Sequence, residues 1–571
     1  MSTENSGIDR DRQMIIDAQA KGRIATFGAY FKLSGPGWLQ SAITLGGGSL
    51  SGSLYLGVLA GFALLWLQPI AMILGIIMLS AISYVTLSTG ERPFDAINKH
   101  VNPVLGWGWI LATLMANCVW ALPQFSLAVG AIKQNLLTGM AKSSTMDPVN
   151  LDLTIGAVVM ILCIVVVWCY NSGGVGLKIF NALIKFMVGG IVLSFVGVVV
   201  FMTANGALDW GQIGSGFIPD IGLLSAPADT FNGHIAAVGE KFQGFWTARI
   251  VSQQRDVMIA AAATAVGINM TFLLPYSMLK RKWDKNFRGL AIFDLSTGLF
   301  IPFILATGCV VIASASQFHA MPAPGFLGEI DANGELVAPD KKFVGQYEGI
   351  ASARVKKEIG AEAFGALTKD EVTEKINALP QADKKMAAML VKRDSVHLAA
   401  ALEPLTSKNV SNYVFGLGVM GMAISSIIIL MLINGFVVCE ILNVPSKGWA
   451  FRLGTLMPCV GLLAPILWAG KTKMWLAMPT SIIAFTVLPI AYIAFALMMN
   501  QKSLMGADRP GGIKRLVWNV LMAIAAILAA MGSVWSLWLK LKWWGIAIAV
   551  GFTALVILVH FVFPRKNRQT A

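Results

Sequence analysis

The sequence predicts an all-α membrane protein with twelve transmembrane helices, and three observations lead to that prediction. Of its 571 residues, 56% are apolar and only 13% are charged. The mean hydropathy is +0.68, far above that of soluble globular proteins. Apolar stretches of about 20 residues, long enough to cross a bilayer, recur along the chain. A multi-pass membrane protein follows from the composition alone.

The twelve predicted spans are set by these apolar stretches and the polar loops between them. They lie near residues 36–60, 63–89, 105–132, 153–171, 177–203, 257–279, 288–315, 410–438, 450–470, 474–498, 514–538 and 543–563.

The connections divide the chain into five regions. An amphipathic arm (1–34) without a cleavable signal peptide precedes helices 1–7 (35–315), and helices 8–12 (410–564) precede a short tail (565–571). Lys and Arg gather in the arm, the tail and the loops on the same side, which predicts that both termini are cytoplasmic in a bacterial inner membrane. Residues 316–409 are polar and charged, with a hairpin-like segment at 331–335 and helices through 358–401, and we expect an extracytoplasmic insertion.

Composition also excludes several classes of protein. The formal charge of +14 is spread over loops rather than gathered in a patch, so no nucleic-acid partner is expected. The six cysteines lie in apolar segments without metal-ligand spacing, which indicates neither a disulfide, nor a bound metal, nor another cofactor. The five histidines lie in loops or near span ends, without a nucleophile and carboxylate at recognisable spacing, so no enzyme is predicted. A monomer in the lipid bilayer with a small-ion substrate is expected.

The first span carries an interruption where a helix should be strongest. Residues 44–54 read TLGGGSLSGSL, with three consecutive glycines, Gly46, Gly47 and Gly48, in mid-span. Because unpaired backbone groups cannot face lipid, such a break must face protein or a cavity. The alternative is that the glycines only permit close helix packing.

The sixth span is irregular at the corresponding place. It contains Gly267 and Asn269, and Pro275 is expected to open the helix about a turn earlier, near Thr271. Interrupted segments at equivalent positions in two halves of a chain are the best sequence sign of a transporter's midplane site. Spans 1 and 6 are equivalent if the first ten spans form two five-helix repeats.

The order of several motifs resembles the NRAMP family of proton-coupled divalent metal transporters. The motifs are Gly35-Pro-Gly37, Gly61-Phe-Ala-Leu-Leu-Trp66, Val266-Gly267, the run from Leu402-Glu-Pro-Leu405 through Ala423-Ile-Ser-Ser426 to Glu440-Ile-Leu442, and Leu488-Pro489. The resemblance covers most of the membrane portion and excludes 316–409. It implies a leucine-transporter-like fold with two inverted five-helix repeats, broken helices 1 and 6, and two extra C-terminal spans.

The departures from the family pattern concern the metal site. Where the family has Asp-Pro-Gly-Asn in span 1, this chain has Gly46-Gly47-Gly48-Ser49, and the family's Met-Pro-His falls, counted from Gly267, on Thr271-Phe272-Leu273. On this count the sulfur and nearby histidine ligands are absent. A second histidine falls at Met278, the acidic residue of span 3 at Cys118 or a neighbour, and the glutamine of span 10 at Ser481.

The remaining chemistry favours a small anion. A divalent cation usually needs a carboxylate, and none remains at the mapped positions. Broken helices present N–H groups and positive dipole ends, which attract anions. The predicted substrate-binding residues are Gly46, Gly47, Gly48, Ser49, Asn269, Thr271, Phe272 and Ser481. Bicarbonate suits this donor set, and chloride, nitrate or a small carboxylate remain open. The alternatives are an Mg²⁺ or Mn²⁺ transporter and a sensor that no longer transports.

Two charged residues within spans are candidates for charge attraction or coupling. Lys185 lies in span 5 and Asp294 in span 7, and intramembrane charges are costly and often functional. Lys185 could instead extend to the interface, or the two could pair. Without the family's acidic and histidine residues, passive transport or transport without family-type proton coupling is expected.

Overall fold

The computed structural model is almost entirely helical in the part of the chain it describes, which comprises residues 2–137, 139, 143–171, 174–331, 333–404, 413–467 and 477–562. Eleven helices in these ranges are long and apolar enough to cross a membrane, and a bent pair of helices supplies a further span. The prediction of a twelve-span helical protein is confirmed. Among the described residues, one isolated β-bridge joins Ile330 to Leu336, the two residues that flank the predicted hairpin-like segment 331–335.

The spans of the first half are named here by their order in the chain. They are 1a (Pro36–Thr44), 1b (Gly47–Ala60), 2 (Leu67–Thr89), 3 (Pro103–Ala131), 4 (Pro148–Cys169), 5 (Gly174–Ala204), 6a (Glu240–Ala265), 6b (Ile268–Lys280) and 7 (Arg288–Asp294, a π-helix over Leu295–Phe300, then Ile301–Phe318).

The spans of the second half include two that are interrupted. They are 8 (Phe415–Ile441), 9 (Gly448–Leu456, a 3₁₀ turn over Met457–Leu463, then Ala464–Leu467), 10 (Ala477–Thr486 and Leu488–Asn500), 11 (Gly512–Leu541) and 12 (Trp543–Val562).

Span 8 is the central helix of the bundle. It is buried along nearly its whole length and packs against spans 1a, 3 and 5. Spans 11 and 12 are peripheral, and most of their apolar side chains are exposed. Because exposed apolar helix faces match lipid, these two spans form an outer face of the bundle.

Span 6a begins earlier than predicted. The expected start was near residue 257, but the helix begins at Glu240. Its first four turns bury Trp246 and Ile250, and the Trp246 indole donates to Asp383 Oδ1 at 2.7 Å. Contact with the segment between spans 7 and 8 therefore supports a helix that hydropathy alone does not detect.

Shorter helices form the arm and the long connections. The arm holds Ser2–Lys21 and Arg23–Leu33, and Pro93–His100 joins spans 2 and 3. The connection between spans 5 and 6 contains Trp210–Ser215 and Asn232–Ala236. Between spans 7 and 8 the helices are Lys341–Ile359, Ala361–Gly365, Lys369–Asn377, Gln381–Met389 and Ser395–Leu402, and Lys502–Met505 follows span 10.

Candidate functional site

Span 1 breaks at the predicted glycines. Helix 1a ends at Thr44 and 1b begins at Gly47, and their axes differ by 59°. Gly46 has an extended backbone at the N-cap of 1b, and a Cβ there would lie 2.4 Å from Ser426 Oγ of span 8. Glycine is needed because span 8 approaches the break so closely.

Span 6 breaks at a different point from the one predicted. Helix 6a ends at Ala265 and 6b begins at Ile268, so the interruption falls at Val266 and Gly267. The expected opening near Thr271 is wrong, because Pro275 lies inside the continuous helix 6b. Despite this interruption, 6a and 6b together form one candidate membrane span of 41 residues, and the angle between them does not exceed 40°.

The two breaks meet at one small cavity of about 40 Å³. At about 10–15 Å³ per water on this measure, it holds about three or four water-sized groups. Its lining comes from spans 1, 3, 6, 8 and 10 and includes Thr44, Gly46, Gly48, Ser49, Trp120, Gln124, Thr264, Gly267, Asn269, Met270, Ser426 and Thr480. A small ion fits this volume, and a larger organic substrate does not.

Backbone acceptors at the ends of the broken helices are already occupied by hydroxyl groups. The Thr44 carbonyl accepts from Ser49 Oγ. The Ala42 carbonyl accepts from Ser425 Oγ at 3.0 Å, and the Ala265 carbonyl accepts from Thr44 Oγ1 at 2.7 Å. The negative ends of 1a and 6a are thus covered by donors.

Two side-chain amides at the cavity are held through their oxygen atoms by backbone N–H groups. Gln124 Oε1 accepts from the Gly47 N–H at 2.8 Å, and Asn269 Oδ1 accepts from the Met270 N–H at 2.8 Å. Because a backbone N–H can only donate, both amide oxygens are committed to the backbone and both NH₂ groups remain as donors. Within the described ranges, the buried Asn269 Nδ2 has no hydrogen-bond partner.

The electrostatics of the cavity come from dipoles rather than charges. Among the described residues that line it there is no Asp, Glu, Lys, Arg or His, and no cluster of three metal-ligating side chains occurs in the described part of the chain. The N-termini of 1b and 6b lie at the cavity and each contributes about half a positive charge, and the C-termini of 1a and 6a, which the hydroxyls cap, contribute about half a negative charge each. The site is neutral but donor-rich.

The predicted substrate residues are only partly brought together. Gly46, Gly48, Ser49 and Asn269 line the cavity, and Gly47 contributes the N–H that orients Gln124. The backbone of Ser481 belongs to span 10, and its side chain lies outside the described residues.

Two of the predicted substrate residues lie away from the cavity lining. Thr271 Oγ1 accepts from the Trp109 indole at 2.9 Å, and Phe272 stacks on Tyr276 with ring centroids 4.2 Å apart. Both face span 3 or the far end of 6b, because the break lies earlier than predicted.

Lys185 and Asp294 lie at the far end of 1a, away from the cavity. Lys185 Nζ donates to the Ser34 carbonyl at 3.2 Å. Asp294 accepts from the backbone N–H groups of Gly35 and Gly37 and from the Ser34 hydroxyl. Neither side chain takes part in the lining of the cavity.

Sequence reasoning missed several lining residues. Met270 stands one position before the residue to which the family's sulfur ligand was counted, and its sulfur lies 3.3 Å from Thr44 Oγ1. A thioether is therefore present at the cavity, contrary to the expectation from spacing. Trp120 and Gln124 flank Pro123, a proline inside span 3 that could have indicated the site.

The span 3 position expected to replace the family's acidic residue is neutral. Asn117 Nδ2 donates to Asn434 Oδ1 at 2.8 Å, and Asn434 Nδ2 contacts Cys118 Sγ at 3.5 Å. Spans 3 and 8 are thus joined by paired amides where a titratable group would otherwise lie.

Outside the cavity, a segment before span 8 rests on both broken spans. The Tyr55 hydroxyl of 1b donates to the Arg393 carbonyl at 2.8 Å. Lys392 lies with Tyr55, Gln253 and Asp256 around a second, smaller cavity. Burial lowers the pKa of Lys392 to about 7; Asp256 opposes this shift, and Arg249 and Lys540 add to it.

Two broken membrane helices that meet at a buried polar cavity define the class of secondary transporters whose site is built from discontinuous helices. The family model for natural resistance-associated macrophage protein-like (Nramp) sequences matches residues 37–331 and 384–560. The chain belongs to this family. Its fold is leucine-transporter-like with two inverted repeats, as predicted.

Solved structures agree in fold at low sequence identity. The manganese transporter of Eremococcus coleocola, in complex with an aromatic bis-isothiourea-substituted compound, is 13% identical with a TM-score of 0.54, covering 94% of this chain and 93% of that one. A variant of that transporter is 14% identical with a TM-score of 0.52, covering 93% and 94%. No curated protein sequence matches this chain.

Proposed function

We propose that this Nramp-family transporter moves a small inorganic anion such as bicarbonate across a bacterial inner membrane. One observation carries the proposal: at the breaks the Ala42, Thr44 and Ala265 carbonyls accept from hydroxyls, whereas the Asn269 and Gln124 NH₂ groups remain as donors. Open donors stabilise an anion.

The absence of charge at the described lining supports the same choice. A dehydrated divalent cation needs several oxygen ligands and usually a carboxylate. The described residues around the cavity offer no carboxylate. An anion is served by amide and backbone N–H groups and by the dipoles of 1b and 6b, without a counter-charge.

A metal cation is the second candidate, and one observation favours it. Met270 places a thioether at the cavity beside the Thr44 hydroxyl, and thioethers prefer soft metal ions. The similar solved structures are named as manganese transporters. A non-transporting sensor is a third candidate.

We further propose a monomer with both termini in the cytoplasm and residues 316–409 outside. Basic residues in the described loops support this orientation. Lys280, Lys282, Lys285, Arg288, Lys502 and Arg509 lie at the adjoining ends of spans 6 and 7, between those spans or between spans 10 and 11, on one side of the bundle.

The proposed function is tested with purified protein in sealed liposomes that contain a pH dye. Carbon dioxide that crosses lipid acidifies the lumen, whereas entering bicarbonate raises its pH, so the sign of the change identifies the species. Parallel liposomes with a trapped metal dye report Mn²⁺ and Mg²⁺. We expect bicarbonate entry above that of protein-free liposomes and no metal signal.

Two isosteric variants locate the flux at the cavity. Asn269→Asp and Gln124→Glu keep the oxygen that accepts from the backbone and replace the free NH₂ with negative charge. At about 4 Å and an effective dielectric constant of about 20, like charges repel by about 4 kcal/mol, so bicarbonate flux should fall at least about tenfold.

The matched control is Asn519→Asp in the peripheral span 11. Asn519 Oδ1 accepts from Asn500 Nδ2 at 2.7 Å, away from the cavity, and its variant should retain wild-type flux. Mn²⁺ or Mg²⁺ uptake without bicarbonate flux would establish the metal candidate instead. Absence of both fluxes from folded protein would favour the sensor.

A further inference from the structure

We propose that Asp294 is a protonatable latch that positions span 1a, and that its protonation frees the end of 1a remote from the cavity and speeds transport. Only the transport measurement that tests this inference rests on the proposed function. The latch itself is a property of the contacts between spans 1 and 7.

The carboxylate of Asp294 holds the start of 1a through three donors. Its Oδ1 accepts from the Gly35 N–H at 3.1 Å and from the Ser34 hydroxyl, and its Oδ2 accepts from the Gly37 N–H at 2.5 Å. The side chain of Asp294 is 1% exposed. An ionised carboxylate can accept all three hydrogen bonds, whereas a carboxylic acid gives up part of that acceptor capacity to its own proton.

The backbones of spans 1 and 7 are in direct contact at this point, with no space between them for a side chain. A Cβ at Gly37 would lie 2.2 Å from the Asp294 carbonyl oxygen. One turn along, the Ser41 hydroxyl donates to the Gly298 carbonyl in the π-helix of span 7. A π-helix is an irregularity that often occurs at functional sites.

The charged and titratable groups around Asp294 come from the neighbouring elements. Lys185 of span 5 reaches the Ser34 carbonyl. Arg281, which follows 6b, approaches Gly35, where a Cβ would lie 2.4 Å from its Nη1. The Tyr30 hydroxyl lies against Gly289 at the start of span 7. Two cations thus lie at the end of 1a that this single carboxylate holds.

Helix 1a connects this latch directly to the cavity. It is nine residues long, with Asp294 at its first turn and Thr44, which covers the Ala265 carbonyl, at its last. Loss of the Gly35 and Gly37 contacts would let 1a pivot about the break at residues 45–46, where the helical hydrogen bonding between 1a and 1b is interrupted. A neutral cavity can therefore be linked to pH by a carboxylate that never touches the substrate.

Hydrogen exchange of the intact protein in detergent tests the latch without any substrate. Protection of the amides in 35–40, corrected for intrinsic exchange, should fall as the pH is lowered from neutral to mildly acidic, by at most about tenfold per pH unit. Amides of 1b should not change. Asp294→Asn should abolish the pH dependence, and Asp294→Glu should restore it.

Further variants separate a latch from a merely structural contact. Ser41→Ala should lower protection at every pH without altering its pH dependence. Arg281→Gln removes a cation that favours the carboxylate and should move the midpoint to higher pH, which tests the latch even if Asp294→Asn does not fold. Wild-type protection that is independent of pH, or Asp294→Asn protein with the wild-type pH profile, would overturn the proposal.

Transport of nitrate, whose charge is constant over this pH range, then links the latch to flux. Wild-type flux should rise with acidity and that of Asp294→Asn should not. Acid-dependent exchange without any anion flux would leave the latch standing and reject the proposed function. Anion flux with the same pH profile in the wild type and in Asp294→Asn would support the proposed function and reject the latch.

Discussion

Spans 1 and 6 both break at the cavity, but span 1 bends by 59° whereas span 6 continues without a bend above 40°. The bend in span 1 exposes carbonyls at the C-terminal end of 1a, and the hydroxyls of Ser49 and Ser425 cover two of them. The gap in span 6 is only Val266 and Gly267, and Thr44 of span 1 covers the carbonyl of Ala265. Span 1 therefore supplies the geometry of the site, and span 6 supplies Asn269 and Met270.

A different neighbouring helix maintains each break. Ser426 of span 8 occupies the space beside Gly46, and the Trp120 ring of span 3 occupies the space beside Gly267. Breaks that look alike in sequence are thus enforced by separate contacts, which mutation can address one at a time.

The largest effect is expected from Gly267→Ala. A Cβ at Gly267 would lie 2.4 Å from the rigid Trp120 ring, whereas at Gly46 it would meet the smaller Ser426 hydroxyl at the same distance. Overpacking costs about 1–3 kcal/mol, so Gly267→Ala should reduce flux by about tenfold or more, and Gly46→Ala by less. Liposome flux and thermal stability measure both. Gly190→Ala in span 5, with open space around it, is the control.

Restoring the space should restore the function. Trp120→Phe combined with Gly267→Ala should recover part of the flux, because the atoms nearest Gly267 belong to the six-membered ring of the indole. Equal losses in both glycine variants, unaffected by the second substitution, would show that the two breaks are not maintained separately.

A smaller effect is expected from Pro275→Ala. Because Pro275 lies inside helix 6b and not at the break, its replacement should leave flux within about threefold of wild type and raise stability by up to about 3 kcal/mol. Flux and thermal unfolding in detergent measure the two effects. A loss of flux comparable with that of Gly267→Ala would mean that the proline, not the glycine, makes the break.

The smallest effect is expected where the segment around Lys392 packs against spans 1b and 6a. Burial lowers the pKa of Lys392 to about 7. The packing of the segment 388–394 on spans 1b and 6a, here called docking, therefore disfavours the protonated amine. Docking should therefore strengthen as pH rises from about 7 toward about 10.5, by at most about tenfold per pH unit, and be constant below about 7. Exchange of the 388–394 amides between about pH 6 and about pH 9 measures this. Lys392→Met should remove the dependence, and its persistence in that variant would assign it elsewhere.

The fold was predictable because hydropathy and glycine placement act locally. Apolar length located the spans, and three glycines in a row located the bend in span 1. The start of 6a was not predictable, because Glu240 begins a polar helix that is stabilised by the distant Asp383 through Trp246. Hydropathy does not report such contacts.

The site was predictable only where backbone chemistry defines it. Gly46, Gly48, Ser49 and Asn269 line the cavity as expected. Met270 was missed because counting from Gly267 assumed the family's spacing in span 6. Gln124 was missed because its role depends on the Gly47 N–H, a contact between residues 77 positions apart.

The sign of the transported charge tests the central claim most directly. Liposomes containing the protein are adsorbed on a sensor electrode. In one experiment a sodium gluconate solution is replaced by sodium bicarbonate. In a second, a sodium chloride solution is replaced by manganese chloride at the same chloride concentration. The anion-site account predicts a current of negative charge entering with bicarbonate, reduced in Asn269→Asp but not in Asn519→Asp, and none with Mn²⁺. Positive charge entering with Mn²⁺, and no response to bicarbonate, would contradict it.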